Sequence, residues 1–168
     1  IRDLVRSRGL GDVYKRQGQG MTSDRLKRIK KGLLTLHTLE TMAVNIYKFQ
    51  VRKKREELDL QLIVAMTNEM THLQDFQAKL FEYGFRPSKI RVFYWLVGLI
   101  FGLFSKLSGE RAILKTGVWV EKKAVAHYEK LLHEVDWDEG TRKVVEKDQA
   151  DEFGHITRWK DLLQKLEK

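Results

Sequence analysis

Apolar residues recur at helical spacing in four long stretches of the chain. Within each stretch they follow one another at steps of three and four residues, which is the periodicity of one buried helix face. The stripes are Ile29, Leu33, Leu36, Glu40, Ala43, Tyr47; Leu58, Leu62, Ala65, Glu69, His72, Phe76, Leu80, Tyr83; Leu114, Gly117, Glu121, Ala124, Tyr128, Leu131; and Val145, Asp148, Glu152, His155, Trp159, Leu162, Leu166. This spacing predicts an all-α bundle of four long helices, the first over about residues 24–54.

Every stripe carries a glutamate near its centre, where an apolar residue is expected. On the second and fourth stripes a histidine follows this glutamate three residues later, so that both side chains share one helix face. Four converging buried carboxylates are costly and repel one another, and a pair of divalent cations would neutralise them. The sequence therefore predicts a dinuclear metal centre of the kind built inside four-helix bundles. The predicted ligands are Glu40, Glu69, His72, Glu121, Glu152 and His155.

The donor set narrows the choice of metal. Oxygen and imidazole ligands without sulfur suit two iron ions, Fe²⁺ or Fe³⁺, and leave manganese open. The alternative is that each glutamate reaches solvent or forms a surface ion pair. A glutamate at the central position of all four apolar stripes disfavours this alternative. Ligating histidines usually donate their second ring nitrogen to a neighbour. We expect Asp151 to orient His72 and Asn68 to orient His155, with Asp148 as a further partner; the alternative is that these are surface residues.

The two halves of the chain repeat each other beyond the glutamates and histidines. Glu40-x-x-Ala43-Val44-x-x-Tyr47 recurs as Glu121-x-x-Ala124-Val125-x-x-Tyr128, and Asn68-Glu69-x-x-His72 recurs as Asp151-Glu152-x-x-His155. An internal repeat of this length predicts two helical hairpins related by a pseudo-two-fold axis. Each hairpin would supply one glutamate and one glutamate–histidine pair.

A run of apolar residues, 92–104, lies between the second and third predicted helices. It is shorter than the roughly 20 residues that a spanning helix needs. Its aromatic residues and flanking cations are typical of a helix that lies in the membrane interface. The alternative is a crossover helix buried against the bundle or against a second copy of the chain.

Composition and charge exclude some functions. The chain of 168 residues has no cysteine, which excludes disulfides and thiolate metal sites within it.

Residues 12–17 resemble a translated sequencing-library adaptor, so we expect residues 1–20 to be non-native, or else a disordered basic tail, and residues 21–168 to form one domain that starts at Met21. Without residues 1–20 the net charge falls from +9 to +6. The basic run 25–31 keeps the helical apolar spacing, which favours a solvated or lipid-facing helix start, and we expect no nucleic-acid partner.

Residues 25–168 resemble the demethoxyubiquinone hydroxylase family of ferritin-like di-iron monooxygenases. The resemblance depends on Leu36-His37-x-x-Glu40, Glu69-x-x-His72-Leu73, Arg86-Pro87, Gly109-Glu110, Val120-Glu121, Ala126-His127-Tyr128 and Asp151-Glu152-x-x-His155. It implies a ferritin-like four-helix bundle with an extra hydrophobic crossover helix between helices 2 and 3. Where this chain has Leu39, the family usually has a small residue, and familiar members continue past the fourth bundle helix with another apolar helix.

The same resemblance implies an activity. The family members use O2 and an external electron donor to hydroxylate a quinone-type substrate, working as peripheral proteins on the cytoplasmic face of the membrane. The six glutamates and histidines would be iron ligands, and His127 and Tyr128 would act near the substrate and the electron path. A homodimer is left open.

Two alternatives compete with a monooxygenase. A bacterioferritin- or rubrerythrin-like protein that oxidises iron or reduces peroxide shares the ligand set, and Met70 stands beside Glu69 as a haem-ligating methionine would. The apolar insert argues against a cage subunit, and the missing cysteines argue against a complete rubrerythrin. A helical protein that has kept the fold without catalysis is disfavoured by the intact ligand set.

Overall fold

The chain folds into helices joined by short connections. The computed structural model describes residues 20–54 and 56–168, and within them it contains five helices and no strand, which confirms the predicted all-α fold. The helices are α1 (Ser23–Gln50), α2 (Glu57–Glu82), α3 (Arg91–Leu107), α4 (Glu110–Glu134) and α5 (Glu139–Leu166). Residues 1–19, which hold nearly all of the predicted non-native tail, lie outside the described residues.

Local signals set most helix ends. The hydroxyl of Thr22 accepts the backbone N–H of Arg25 at the start of α1, and the carboxylate of Asp138 caps α5 in the same way. After α2 the chain turns at Gly84, whose φ of +73° favours glycine. The prediction that the first helix continues to residue 54 is wrong, because α1 ends at Gln50. Beyond that end the backbone N–H of Arg52 donates to Asp59 at 2.8 Å, a contact from the next helix.

The bundle consists of two helical hairpins, α1 with α2 and α4 with α5. Their predicted stripes face inward and form two apolar clusters, one around Leu36 and Phe76 and the other around Leu62 and Trp159. The glutamates and histidines lie in the middle of the same stripes, between these clusters. One predicted core residue is corrected: Leu166 is exposed because it stands in the last turn of α5.

Helix α3 runs beside α1 in the same direction and covers the distance between the end of α2 and the start of α4. Its buried residues are Gly98, Gly102 and Ser105, which we call the glycine seam. A Cβ atom on Gly98 would stand 2.5 Å from the carbonyl oxygen of Met42, so the two helix backbones are in close contact. The Ser105 hydroxyl also accepts a hydrogen bond from Gln50 at 2.8 Å.

The outer face of α3 leaves large apolar side chains in solvent. Phe104 is 73% exposed and Leu107 is 87% exposed, and Phe93 and Ile100 are exposed beside them. The alternative of a crossover helix buried against the bundle therefore holds only for the glycine seam and the side chains beside it, and the favoured membrane contact stays a prediction. Within the described residues, none of the helices has the length and hydrophobicity needed to cross a membrane.

Candidate metal centre

All six predicted ligands meet at one point in the middle of the bundle. Two overlapping groups have ligand atoms that lie within 4.8 Å of one another. The first group is Glu40, Glu69, His72 and Glu152, and the second group is Glu69, Glu121, Glu152 and His155. Because both groups share Glu69 and Glu152, the arrangement offers two adjacent positions with two bridging carboxylates. Each position has one further glutamate and one histidine, supplied by one hairpin.

Burial makes this cluster electrostatically demanding. Every one of the six residues is at most 3% exposed. Burial, followed by repulsion from Glu69, raises the pKa of Glu40 well above its usual range. The pKa of Glu152 is raised for the same reasons, with Glu121 adding to the repulsion. Burial also acts to raise the pKa of Glu69, but the imidazoles of His155 and His72 beside it outweigh burial and hold that pKa well below its usual range.

The two imidazoles turn one nitrogen each toward the carboxylates. Nδ1 of His155 lies 2.9 Å from Glu69, and Nδ1 of His72 lies 3.1 Å from Glu152. Burial opposes a proton on His155, yet the adjacent carboxylates of Glu121 and Glu69 raise the pKa of the imidazole to about 10. The pKa of His72 is raised in the same sense by Glu69. Without cations, protons must therefore compensate the carboxylates.

Several carboxylate oxygens and one imidazole nitrogen in this cluster lack a hydrogen-bond partner within the part of the protein that the structure describes, as atoms that bind metal cations would. Both oxygens of Glu69 and Glu152, one oxygen of Glu121, and Nδ1 of His72 have no hydrogen bond of acceptable geometry among the described residues. Buried polar atoms normally have a partner, because leaving them unpaired costs about 1–3 kcal/mol each. Four carboxylates and two imidazoles suit iron or manganese. The residues present therefore fit a dinuclear metal centre.

The outer ring nitrogens of both histidines face the residues expected to orient them. Nε2 of His72 lies 3.2 Å from Asp151, and Nε2 of His155 lies 3.4 Å from the side-chain amide of Asn68. Asp148 is fully buried, and one of its oxygens lies 3.9 Å from Nε2 of His72. An Nε2–H of His72 that donates to Asp151 fixes the tautomer that leaves Nδ1 of His72 free to bind a metal, whereas the Asn68 amide nitrogen is itself a donor and offers His155 no acceptor.

Two buried tyrosines form hydrogen bonds to Glu40 and Glu121. We call these two the terminal glutamates, because each belongs to only one of the two ligand groups. Tyr128 donates its hydroxyl to Glu40 at 2.5 Å, and Tyr47 donates its hydroxyl to Glu121. Tyr128 and His127 were the predicted catalytic residues, and the structure separates them. Tyr128 lies in the core beside the cluster, while His127 is exposed, with Nδ1 bonded to the carbonyl of Lys123 at 2.7 Å.

An apolar cavity of about 260 Å³ reaches the cluster between α1, α3 and α4. Its floor includes Glu40 and Glu121, and its walls include Leu39, Tyr94 and His127. A second cavity of about 420 Å³ shares these three wall residues and opens at the start of α1 among Lys27, Lys30 and Lys31. Because they share these residues, the two cavities are neighbours, and together we call them the path to the cluster.

Sequence reasoning missed several residues of this region. Tyr94 was seen only as part of the apolar insert, and Leu39 only as a departure from the family pattern. Tyr47 and Trp159 were placed in the core without a role. The repeat of Tyr47 as Tyr128 was the one signal that pointed to paired tyrosines beside the glutamates. The cavity walls come from three helices, so no local pattern brings them together.

Fold and site together define a class: a four-helix bundle with a buried carboxylate–histidine cluster and an apolar cavity that ends on it. The comparison with family models matches residues 27–162 to the family described as "Ubiquinone biosynthesis protein COQ7". The chain belongs to this family.

Relatives of the chain agree with this assignment, and a solved structure shares its fold. The chain is 26% identical over 132 residues to a 3-demethoxyubiquinol 3-hydroxylase of Legionella pneumophila, covering 77% of this chain and 62% of that protein. It is 29% identical over 138 residues to the enzyme of that name from Xylella fastidiosa, covering 80% of this chain and 64% of the relative. The chain thus spans less than two thirds of the length of these proteins. A crystal structure of a hypothetical protein from Methanococcus jannaschii shares the fold, with a TM-score of 0.73 and 18% identity, covering 89% of this chain and 85% of that one.

Proposed function

We propose that this chain is a dinuclear iron hydroxylase that acts on a demethoxyubiquinol-like ring. One observation carries the proposal: an apolar cavity has two of the expected metal-binding carboxylates, Glu40 and Glu121, in its floor. A hydrophobic ring seated in that cavity lies against the cluster without water between them. The relatives that this chain matches are named 3-demethoxyubiquinol 3-hydroxylases, which supplies the substrate class.

The side chains of the cluster have separate tasks in this proposal. Glu69 and Glu152, which both ligand groups share, would hold both metal ions, and each hairpin would add its own glutamate and histidine to one of them. When bound, two iron ions supply the activation of O2. Hydroxylation by O2 also consumes two electrons and two protons, which an external donor must deliver. The hydroxyls of Tyr47 and Tyr128 keep Glu121 and Glu40 in place.

The cavity walls orient the ring. Leu39 and Tyr94 supply apolar surface, and His127 places an imidazole with its Nε2 free of the bond to Lys123. A ring hydroxyl of the substrate can bond to this nitrogen while the remaining surface excludes water. We assign His127 to substrate orientation and Tyr128 to positioning Glu40.

We further propose that the exposed face of α3 lies on the membrane surface. Exposed contiguous apolar patches on a soluble fold mark interaction sites, and this one lies beside the path to the cluster, since α3 contributes Tyr94 to both cavities. Lys27, Lys30 and Lys31 surround the opening, where anionic headgroups would be attracted to them. A prenylated substrate could then pass from the lipid into the path without crossing water.

A direct test loads the protein with iron(II) under anaerobic conditions and supplies demethoxyubiquinol in lipid vesicles, a chemical reductant and ¹⁸O-labelled O2. The proposal expects one ¹⁸O atom in a hydroxylated product, detected by mass spectrometry. His127→Ala should raise KM more than it lowers kcat. Iron oxidation without any product, from any prenylated ring offered, would contradict the proposal and favour an iron-oxidising protein.

A further inference from the structure

The pseudo-two-fold symmetry of the cluster is broken beside the two tyrosines that hold Glu40 and Glu121. Seven residues after its bridging glutamate, the first half has Phe76 and the second half has Trp159. The two rings occupy corresponding places, each beside the tyrosine that holds a terminal glutamate. Phe76 lies 6.0 Å from Tyr128 and Trp159 lies 5.5 Å from Tyr47, between ring centroids.

The surrounding chain makes room for the indole. Four residues before its terminal glutamate, the first half has Leu36 and the second half has Gly117. A Cβ atom on Gly117 would stand 2.9 Å from Cδ1 and 3.0 Å from Nε1 of Trp159. The larger ring is thus accommodated by the loss of a whole side chain opposite it. A phenylalanine and a leucine fill the same space in the other half, so filling space alone does not require an indole.

The indole N–H of Trp159 also sets the direction of the hydrogen bonds of Tyr47. Nε1 of Trp159 donates to the hydroxyl oxygen of Tyr47 at 3.1 Å, and an indole N–H is a donor only. The Tyr47 hydrogen is therefore directed to its remaining neighbour, the carboxylate of Glu121. Trp159, Tyr47 and Glu121 form a continuous, fully buried chain of hydrogen bonds to the carboxylate cluster, whereas no residue in the described part of the chain donates to the Tyr128 hydroxyl in this way.

From this chain of bonds we infer that Tyr47 and Trp159 form a redox relay that carries an oxidising equivalent away from the metal centre when no substrate is bound. The inference rests on the proposed function, because the relay needs a one-electron oxidant formed at the centre by O2. Tyrosine and tryptophan are readily oxidised by one electron, and phenylalanine is not.

Each step of the relay balances along a hydrogen bond seen in the structure. Tyr47 would lose one electron to the O2-derived oxidant while its phenolic proton moves to the Glu121 carboxylate, which would leave a neutral phenoxyl radical. Trp159 then gives one electron and its Nε1 proton to the Tyr47 oxygen, which restores the phenol and leaves a neutral indolyl radical. An external reductant returns one electron and one proton to Trp159.

The test exposes the iron(II)-loaded protein to O2 without substrate and freezes it for electron paramagnetic resonance. Iron content and iron oxidation are measured for every sample, so a failure of metal or O2 chemistry is separated from a failure of the relay. We expect an indolyl radical in the native chain, assigned with ring-deuterated tryptophan. Trp159→Phe should replace this signal by a tyrosyl radical, and Tyr47→Phe should abolish both. Tyr128→Phe is the matched control and should leave the indolyl radical in place.

A second variant tests whether the change in signal arises from the cavity that the smaller phenylalanine ring leaves. Trp159→Phe combined with Gly117→Leu reproduces the pair found in the other half and refills the space. This double variant should show the tyrosyl radical of the single variant. Over repeated O2 cycles without substrate, peptide mass spectrometry should find more oxidation of His155 in Tyr47→Phe than in the native chain. Iron oxidation with no protein radical, or a radical that Tyr47→Phe leaves unchanged, would overturn the relay.

Discussion

The replacement of Gly98 by alanine tests how the glycine seam holds α3 against α1. The added Cβ would stand 2.5 Å from the carbonyl oxygen of Met42 and 2.9 Å from Cβ of Asn45. Ordinary contact begins near 3.4 Å, so the helices must separate locally by about 0.9 Å. The obstacle is backbone, which cannot rotate away as a side chain would.

The magnitude follows from two opposing terms. Overpacking of this kind costs roughly 1–3 kcal/mol, and alanine recovers up to about 1 kcal/mol of helix propensity over glycine. We expect a net loss of about 1–2 kcal/mol, which for a domain of this size lowers Tm by roughly 2–8 °C. Because none of the six expected ligands lies on α3, metal binding per chain should not change.

Thermal unfolding followed by circular dichroism measures the effect. Gly154→Ala is the matched control, since Gly154 is also helical and a Cβ there would meet nothing within 4 Å. The control should gain about 0.5–1 kcal/mol from helix propensity alone, so the two variants are expected to shift Tm in opposite directions. A Gly98→Ala protein as stable as the native chain, or more stable, would refute the close packing of α3 on α1.

Three further predictions follow from the cavity, the cluster and α3. Leu39→Ala removes side-chain volume from the cavity wall and should lower KM for bulky prenylated rings, measured in the hydroxylation assay; an unchanged KM would contradict its place in the path. Because the pKa of His155 is raised to about 10 and the pKa values of Glu40 and Glu152 are raised, the metal-free cluster holds protons at pH 7 that divalent metal must displace. Mn²⁺ affinity should therefore rise with pH between about 6 and 8, and calorimetry in buffers of different ionisation enthalpy should detect proton release; binding without released protons would refute this. Phe104→Glu loses the burial of one aromatic ring, about 1.5–3 kcal/mol, and should weaken vesicle binding roughly tenfold or more, whereas the same change at exposed Phe153 on α5 should have little effect.

The sequence alone predicted the helical bundle and the residues at its centre, because helical periodicity indicates which face of each helix is buried. The glutamate of each hairpin's first helix and the glutamate–histidine pair of its second interrupt apolar stripes at matched positions, and the repeat doubled that signal. Helix α3 was harder to orient, since its apolar residues surround the whole helix and give no buried face. Only the small residues Gly98, Gly102 and Ser105 mark the side that packs.

Other features depend on contacts between distant segments. The end of α1 is set where Asp59 of α2 accepts the backbone N–H of Arg52, and no periodic pattern reports such a bond. The hydrogen bond from Trp159 to Tyr47 joins residues 112 positions apart, and the cavity beside Glu40 has walls from three helices. A core stripe predicts that these side chains are buried, but it does not predict which of them meet.

Metal stoichiometry tests the central claim most directly. The purified chain is loaded with iron(II) without oxygen, freed of excess metal, and examined by elemental analysis and Mössbauer spectroscopy. We predict two iron ions per chain that become magnetically coupled after O2 is admitted. Glu152→Ala removes a ligand expected at both positions and should lower the iron content below two per chain, while Glu139→Ala, at an exposed position on the same helix, should not. One uncoupled iron per chain, or none, would contradict the account.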